Sequence, residues 1–229
     1  MLAVLYDIHG NLPALDAVLA DAREQGAQRF VLGGDYALFG AWPAETVTRL
    51  RTLEAPWIRG NVERWTARPD EAPDDPVVQG AIEDCAGALG PAVVAELAEL
   101  PETLVHGRDR FCHGSPVSDV RSFMPEPADD EAELLEGVSE PRLFFGHTHL
   151  PFRRTSAHGG IELVNPGSVG LPFDGDRRAA YVLMAEDGDV EHRRVAYDDD
   201  ASAAAVRERG GEWSETVARR IEQARIDPT

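Results

Sequence analysis

Residues 2–11 read LAVLYDIHGN, an apolar run that breaks at Asp7 and His9. Apolar side chains then recur at helical spacing, and a second apolar run, residues 30–32, breaks in the same way at Asp35. A strand, a helix and a second strand in this order are typical of a parallel sheet covered by helices. Open α/β sheets bind their ligands at the carboxyl ends of the strands, which is where these polar residues fall.

The alternation continues for one more unit along the chain. A helix is predicted over residues 44–53, and a short third strand, residues 57–58, stops at Asn61. After an acidic, proline-rich loop, a long helix is predicted over residues 77–100, with an interruption at Gly90, which precedes a proline. This part of the chain therefore predicts an α/β fold with a mostly parallel sheet.

Strands dominate the remainder of the chain, and the change from helical crossovers to hairpins predicts a second sheet packed on the first. Predicted strands cover residues 103–105, 110–112, 143–145, 152–155, 161–165, 179–184 and 190–195, with a short helix over residues 131–136. The tail carries one predicted helix, residues 214–224. We expect a single domain over residues 1–229, with a core of about residues 1–197 and a helical tail of about residues 198–229.

Composition limits the partners that this protein can have. The net charge is −19, from 22 cationic and 41 acidic residues, and every cation is an arginine. Long nucleic acids and anionic membranes are bound through clustered cations, so we expect neither as a partner. The two cysteines, the absence of a charged and apolar leader, and the lack of a run of about 20 apolar residues predict a reduced, cytoplasmic protein.

The same local pattern occurs at five places in the sequence: an apolar run is followed by a turn that carries Asp, Asn or His. A lone histidine beside a strand is more often structural than a ligand, but repetition beside glycine turns favours a shared metal site. Carboxylate oxygen and imidazole nitrogen suit Mn, Fe, Zn, Ni or Mg, and the absence of cysteine ligands argues against a structural zinc. The candidate ligands are Asp7, His9, Asp35, Asn61, His113, His147 and His149.

These motifs, taken in order, resemble those of the calcineurin-like metallophosphoesterases, and more narrowly of their small bacterial and archaeal single-domain phosphodiesterases. The resemblance spans about residues 2–195 and leaves the tail outside. Each motif is short, and their specificity comes from their number and order. The stretches that carry it are Asp7-Ile8-His9-Gly10-Asn11, Gly34-Asp35, Gly60-Asn61, His113-Gly114-Ser115, Gly146-His147-Thr148-His149 and Asn165-Pro166-Gly167-Ser168.

The resemblance implies a four-layer α/β/β/α sandwich of two mixed sheets, with a dinuclear site at the strand ends. It implies that Asp35 bridges two divalent ions, with Mn²⁺ expected first and Fe, Ni, Zn or Mg also compatible. Asp7, His9 and His149 would complete one site, and Asn61, His113 and His147 the other. Asp35, Asn61 and His113 would be the catalytic residues, and a metal-bound hydroxide would attack the phosphorus directly.

Two positions depart from the family pattern. Many relatives have a histidine directly after the Gly-Asn asparagine, where this chain has Val62, which cannot donate a proton. General acid help is worth about 10²- to 10⁴-fold, so its absence predicts slow hydrolysis of esters with poor leaving groups. Glu63 could replace that acid or support a metal ligand from behind, although a surface or salt-bridged glutamate is the favoured interpretation. The expected arginine after residue 168 is also missing, and Phe173 stands in its place, where it could stack on a base or, as we favour, simply pack.

Substrate contacts are predicted for Asn11, Asn61 and Arg177, where Asn11 could equally shape its turn. The function predicted first is hydrolysis of a small phosphodiester or nucleotide. A metal-dependent phosphomonoesterase and a scaffold that has lost turnover are the alternatives. Val62 argues against a phosphatase that acts on proteins. The presence of all the candidate ligands argues against a scaffold. The expected partners are a small phosphoester and, for the chain itself, a possible second copy in a homo-oligomer.

Overall fold

The structure is a computed structural model in which residues 1–226 are described. The strands are β1 (Leu2–Leu5), β2 (Arg29–Leu32), β3 (Thr103–His106), β4 (Asp109–Cys112), β5 (Arg142–Phe144), β6 (Phe152–Thr155), β7 (Glu162–Asn165), β8 (Ala179–Met184) and β9 (Val190–Val195). The helices are α1 (Leu12–Glu24), α2 (Pro43–Arg51), α3 (Asn61–Ala67), α4 (Pro76–Ala98), α5 (Glu131–Leu134), α6 (Asp199–Glu208) and α7 (Glu212–Gln223), with a short 3₁₀ helix over Pro69–Glu71.

The first sheet has the strand order β2-β1-β8-β9, with β1 parallel to β2 and antiparallel to β8. Side chains of β1 alternate between two cores because successive residues of a strand point to opposite faces. Ala3 and Leu5 join α1, α2, α4, α6 and α7 in the larger core. Leu2 and Val4 face the second sheet. Burial on both faces explains why β1 is apolar at every position.

The second sheet has the order β3-β4-β5-β7-β6, with β4, β5 and β7 parallel. Its inner face packs on the first sheet through Phe111 and Phe144, whose rings stack 4.9 Å apart. Its outer face carries Leu143 and Phe145 beneath a layer formed by α5 and the loop before it. The fold is therefore a four-layer α/β/β/α sandwich of two mixed sheets, and the predicted fold class is confirmed.

The predicted third strand at residues 57–58 is wrong in extent. Trp57 forms a single isolated bridge with Leu32. The segment is too short for a ladder because Pro56 precedes it and α3 begins at Asn61. The predicted interruption of the long helix is confirmed, since Gly90 leaves the helical conformation with φ +74° inside α4.

The C-terminal tail contains two helices rather than one. Its acidic run begins α6, with the Asp198 side chain accepting the backbone N–H of Ala201. Val206, Trp213 and Val217 are buried in the same core as α1, so the tail covers the first sheet. The last predicted tail residues, 227–229, lie outside the described part of the chain.

Both cysteines, Cys85 and Cys112, are buried and free. Among the described residues, no helix is both long and apolar enough to cross a membrane.

Candidate metal centre

The predicted ligands lie in the turns that follow four strands and at the start of α3. The turns after β1 and β2 run side by side, because Asp7 N donates to Gly34 O and His9 N donates to Asp35 O. The turn after β5 joins them, since His147 N donates to the Asp7 carboxylate at 3.1 Å. The ends of both sheets therefore meet at one place.

The backbone of these turns is unusual for residues with a side chain. Eight described residues other than glycine have a positive φ, a conformation that costs most side chains free energy. Five of the eight belong to the candidate site. They are Asp7, His9, Asp35, His147 and His149. The local strain concentrates at these turns because the fold aims several side chains at one point.

The structure brings the predicted ligands into two groups, which are buried except for the half-buried His147. Ligand atoms of the first group, Asp7, His9, Asp35 and His149, lie within 4.8 Å of one another. The second group combines Asp35 with His113 and His147 at the same limit. Asp35 is the member that the two groups share, and Asn61 adjoins the second group.

In the first group, two ring nitrogens face each other without a proton between them. The Nδ1 atoms of His9 and His149 contact the backbone carbonyls of Leu38 and Leu171, so in the neutral rings Nδ1 is the donor. The Nε2 atoms then carry lone pairs, and they lie 3.1 Å apart. Two lone pairs at this separation repel, and a cation between them removes the repulsion. The donor set therefore fits a metal ion.

In the second group, a histidine ring nitrogen faces a carboxylate. His113 Nδ1 lies 2.9 Å from Gly33 O, which turns its buried Nε2 towards Asp35. That Nε2 atom is 3.2 Å from Asp35 Oδ1. His147 Nδ1 lies 2.9 Å from Asn61 Oδ1, which brings the amide oxygen to the edge of the group. These donor atoms lie close enough together that they could hold one divalent ion.

The pKa values of the cluster without a cation are those of a site that binds positive charge. Burial raises the pKa of Asp7 well above its ordinary value. Burial also acts on Asp35, but His113 outweighs it and holds the pKa of that carboxyl low. For His113 itself, burial is outweighed by Asp35 and Asp7, which raise its pKa to about 10. Burial lowers the pKa of His9, His147 and His149, so these rings are neutral and free to ligate.

Glu63 is buried beside the site, and the expectation that it is a surface or salt-bridged residue is wrong. Its carboxylate accepts backbone N–H groups from Gly60 at 2.7 Å, Tyr36 at 2.8 Å and Asp35 at 3.0 Å. Burial and the charge of Asp35 raise the pKa of Glu63 to about 7, against the effect of these donors. Glu63 therefore ties the turn after β2 to the start of α3, and with it Asp35 to Asn61.

Gly60 permits the close approach of these two segments. A Cβ atom at this position would lie 2.1 Å from Asp35 Oδ1, well inside contact distance. Its φ of −94° is open to any residue, so only the contact demands glycine.

Two predicted substrate contacts have other roles in the structure. The Asn11 amide nitrogen donates to Gly170 O at 2.9 Å, and its oxygen accepts from Ala14 N and Ser202 Oγ. Asn11 is thus the N-cap of α1, and its polar atoms are engaged inside the protein. These hydrogen bonds support the role of Asn11 in shaping the turn, and its contact with a substrate stays a prediction.

Arg177 forms ion pairs with Asp199 and Asp200 at the start of α6. Its charge is neutralised there, and it lines neither of the cavities beside the cluster. These ion pairs argue against a contact between Arg177 and the substrate, and the contact itself stays a prediction.

The two departures from the family pattern have structural explanations. Val62 is buried in the larger core, so it packs and faces no substrate. Phe173 stacks on the His149 ring, with centroids 4.3 Å apart and planes 10° apart. Sequence reasoning did not assign roles to Asn165 and Ser168, although it quoted their motif. Asn165 donates to Gly146 O, and Ser168 Oγ donates to Asp7 O, so both hold the ligand-bearing turns.

Two cavities border the cluster, one at each of two candidate ligands, and Val120 lines both. One, of about 500 Å³, ends on His113 and contains Arg59, Arg64 and Arg68. The other, of about 710 Å³, ends on His147. A ligand at the cluster can therefore extend in two directions.

A four-layer sandwich with Asp and His clustered at its strand ends defines the metallophosphoesterase class. The chain belongs to the calcineurin-like phosphoesterase superfamily, whose domain matches residues 1–189. It falls in the branch of small single-domain members.

Relatives of known sequence or structure agree with this assignment. An uncharacterized protein of Methanocaldococcus jannaschii is 31% identical, covering 93% of this chain and 95% of its own. Phosphodiesterase YfcE of Escherichia coli is 30% identical over 79% of this chain and 85% of its own. The crystal structure of a metallophosphoesterase from Sphaerobacter thermophilus matches with a TM-score of 0.84 at 28% identity, covering 97% of this chain and 98% of that one. Hydrolysis of phosphoesters is the activity that this family supports.

Proposed function

We propose that this protein is a dinuclear metal-dependent phosphodiesterase that acts on small phosphoesters or nucleotides. The observation that carries the proposal is the pair of buried ligand groups that share Asp35. A carboxylate has two oxygens and one negative charge, so it can hold two cations and offset their repulsion.

In this proposal, Asp7, His9 and His149 hold one divalent ion, and Asn61, His113 and His147 hold the other. Such a pair of ions, when bound, supplies positive charge to the phosphoryl oxygens and lowers the pKa of the attacking water. Mn²⁺ is the ion we expect first, because the set mixes imidazole with carboxylate and amide oxygen; Fe, Ni, Zn and Mg remain compatible.

The chain itself orients the ligands and excludes competing groups. Backbone carbonyls fix the rings of His9, His113 and His149 through Nδ1, so each presents Nε2 to the site. A serine nucleophile is unnecessary, and both nearby serines are engaged elsewhere. Ser115 Oγ donates to Ser118 O, and Ser168 Oγ donates to Asp7 O. Direct attack by water follows, without a covalent phosphoenzyme.

A diester is the favoured substrate because it has two substituents on phosphorus, and two cavities meet at the cluster. A monoester would fill only one of them. The net charge of −19 favours a small substrate over a long polyanion. A cytoplasmic location and a homo-oligomeric state remain predictions.

The test begins with protein stripped of metal by a chelator. Mn²⁺, Fe²⁺, Ni²⁺, Zn²⁺ and Mg²⁺ are added separately, and hydrolysis of bis(4-nitrophenyl) phosphate is compared with that of 4-nitrophenyl phosphate. We expect turnover only with added metal, fastest with Mn²⁺, and a higher kcat/KM for the diester. Preference for the monoester would instead support a phosphomonoesterase.

An Asp35→Asn variant tests the shared ligand, with Asp16→Asn as its control. Asp16 is an exposed aspartate that pairs with Arg49, away from the cluster. We expect Asp35→Asn to bind fewer than two ions and to lose turnover, and Asp16→Asn to match the parent. No turnover with any metal would overturn the enzyme proposal and favour a scaffold.

A further inference from the structure

Five of the ten residues that line the larger of the two cavities are apolar, and the cavity opens to solvent beside His147. Five large apolar side chains are exposed among the described residues, and three of them line this cavity. They are Val120, Met124 and Ile226, with exposed fractions of 41%, 46% and 57%. Leu150 and the Phe173 ring complete the apolar lining.

These side chains come from distant parts of the chain. Met124 lies in the loop before α5, Phe173 follows β7, and Ile226 follows α7. Exposed apolar side chains scattered singly need no explanation, but their convergence beside a candidate catalytic cluster indicates a binding surface. Asp174 and Arg225 provide its polar lining together with Ser122 and Thr148.

The second cavity differs in chemistry. Its arginines are held by acidic partners, since Arg64 pairs with Asp119 and Glu71, and Arg59 pairs with Glu102. That cavity suits a polar substituent, whereas the cavity at His147 suits an apolar one. The two cavities therefore distinguish the two arms of a diester.

We propose that the cavity lined by Met124, Leu150, Phe173 and Ile226 binds a planar aromatic substituent of the phosphoester substrate, such as a nucleobase or a phenyl group. The inference rests on the proposed function and specifies its substrate class. One face of Phe173 is covered by His149, so an aromatic group in the cavity packs beside a ring that already contacts a candidate ligand. The enzyme then selects diesters with one aromatic arm over diesters with alkyl arms only.

The kinetic test uses Met124→Asp and Ile226→Asp, which place a charge in the cavity without disturbing a buried position. Val105→Asp is the matched control, because Val105 is 47% exposed on β3 and does not line the cavity. For 4-nitrophenyl phenyl phosphate, we expect KM to rise about tenfold in both cavity variants, the lower end of what a mismatch in an apolar pocket costs. Diethyl phosphate, which has no aromatic arm, is measured as a competitive inhibitor, and we expect its inhibition constant to stay unchanged in both cavity variants.

A binding test separates this inference from the proposed activity. The chain has three methionines, so ¹³C-methyl labelling gives three signals, and the signal lost in Met124→Asp identifies Met124. With Zn²⁺-loaded protein, which is diamagnetic, phenylphosphonate should shift the Met124 signal and methylphosphonate should not. The signals of Met1 and Met184 should stay in place with either ligand.

An unshifted Met124 signal with phenylphosphonate would overturn the aromatic subsite, whatever the enzyme hydrolyses. An equal loss of diethyl phosphate binding in the cavity variants, or the same KM change in Val105→Asp, would also overturn it. A shifted Met124 signal in a protein without turnover would support the subsite while refuting the proposed hydrolysis.

Discussion

Replacing Gly60 with alanine adds one methyl group at the point where α3 begins beside Asp35. The backbone conformation of Gly60 suits alanine, so any effect comes from contact alone. The new Cβ would lie 2.1 Å from Asp35 Oδ1, and ordinary contact begins at 3.4 Å, so one group must move by 3.4 − 2.1 = 1.3 Å. The moving group is Asp35, the ligand shared by both halves of the candidate centre.

The expected cost has two parts. Overpacking of a close contact destabilises by about 1–3 kcal/mol, which lowers Tm by about 2–12 °C at about 2–4 °C per kcal/mol for a chain of this size. Displacement of a ligand by about 1 Å is expected to weaken metal binding by about 10- to 100-fold, the effect usually seen when the support of a ligand is lost. Thermal unfolding by circular dichroism and Mn²⁺ titration calorimetry measure the two parts separately.

Gly87→Ala is the matched control. Gly87 lies inside α4, and a Cβ there would meet nothing within 4 Å. Alanine is a better helix former than glycine by about 1 kcal/mol, so this variant should be slightly more stable than the parent and bind Mn²⁺ equally well. If Gly60→Ala bound Mn²⁺ as tightly as Gly87→Ala, the argument that Gly60 sets the position of Asp35 would be refuted.

Three further predictions test the pKa of His113, the role of the ion-paired Arg177 and the packing of the C-terminal tail. Asp35 and Asp7 outweigh burial and raise the pKa of His113 to about 10, so the metal-free ring is protonated below that pH. Because burial also raises the pKa of Asp7, metal binding should release at least one proton; metal affinity should rise by at least about tenfold per pH unit between pH 6 and 9, and a flat profile would contradict this. Arg177→Gln should leave KM for bis(4-nitrophenyl) phosphate unchanged, because Arg177 is paired with Asp199 and Asp200; a KM raised about tenfold would restore it as a substrate contact. Trp213→Ala should destabilise by about 3–5 kcal/mol in urea unfolding, because the ring is buried in the larger core; a loss below about 1 kcal/mol would mean that the tail is peripheral.

Much of the fold follows from local patterns in the sequence. β1 is apolar at every position because both of its faces are buried, and that pattern alone predicts a strand between two layers. The interruption at Gly90 follows from the glycine and proline there. The length of the strand at residues 57–58 could not be predicted from its sequence, because the length of a β-ladder depends on the neighbouring strand.

The candidate site also has features that the sequence predicts and features that it does not. The seven Asp, Asn and His residues could be selected from sequence because each follows an apolar run and stands beside a glycine turn, and the structure brings them together. The roles of Glu63, Asn11 and Arg177 could not be predicted from the local sequence pattern. Each is decided by a partner elsewhere in the chain: Asp35 N lies 28 residues from Glu63, and Gly170 O lies 159 residues from Asn11.

By itself, then, the sequence determined the α/β class, the order of the strand-end turns and the set of side chains able to bind metal. These properties depend on local spacing and on the chemistry of single residues. Only the tertiary structure decided that Glu63 turns inward to hold Asp35 against Asn61 and that Phe173 covers His149. It also decided that two cavities of different polarity meet at the cluster. The physical reason is that hydrogen bonds, ion pairs and apolar contacts between distant segments are set by how the two sheets pack, and no local pattern records that packing.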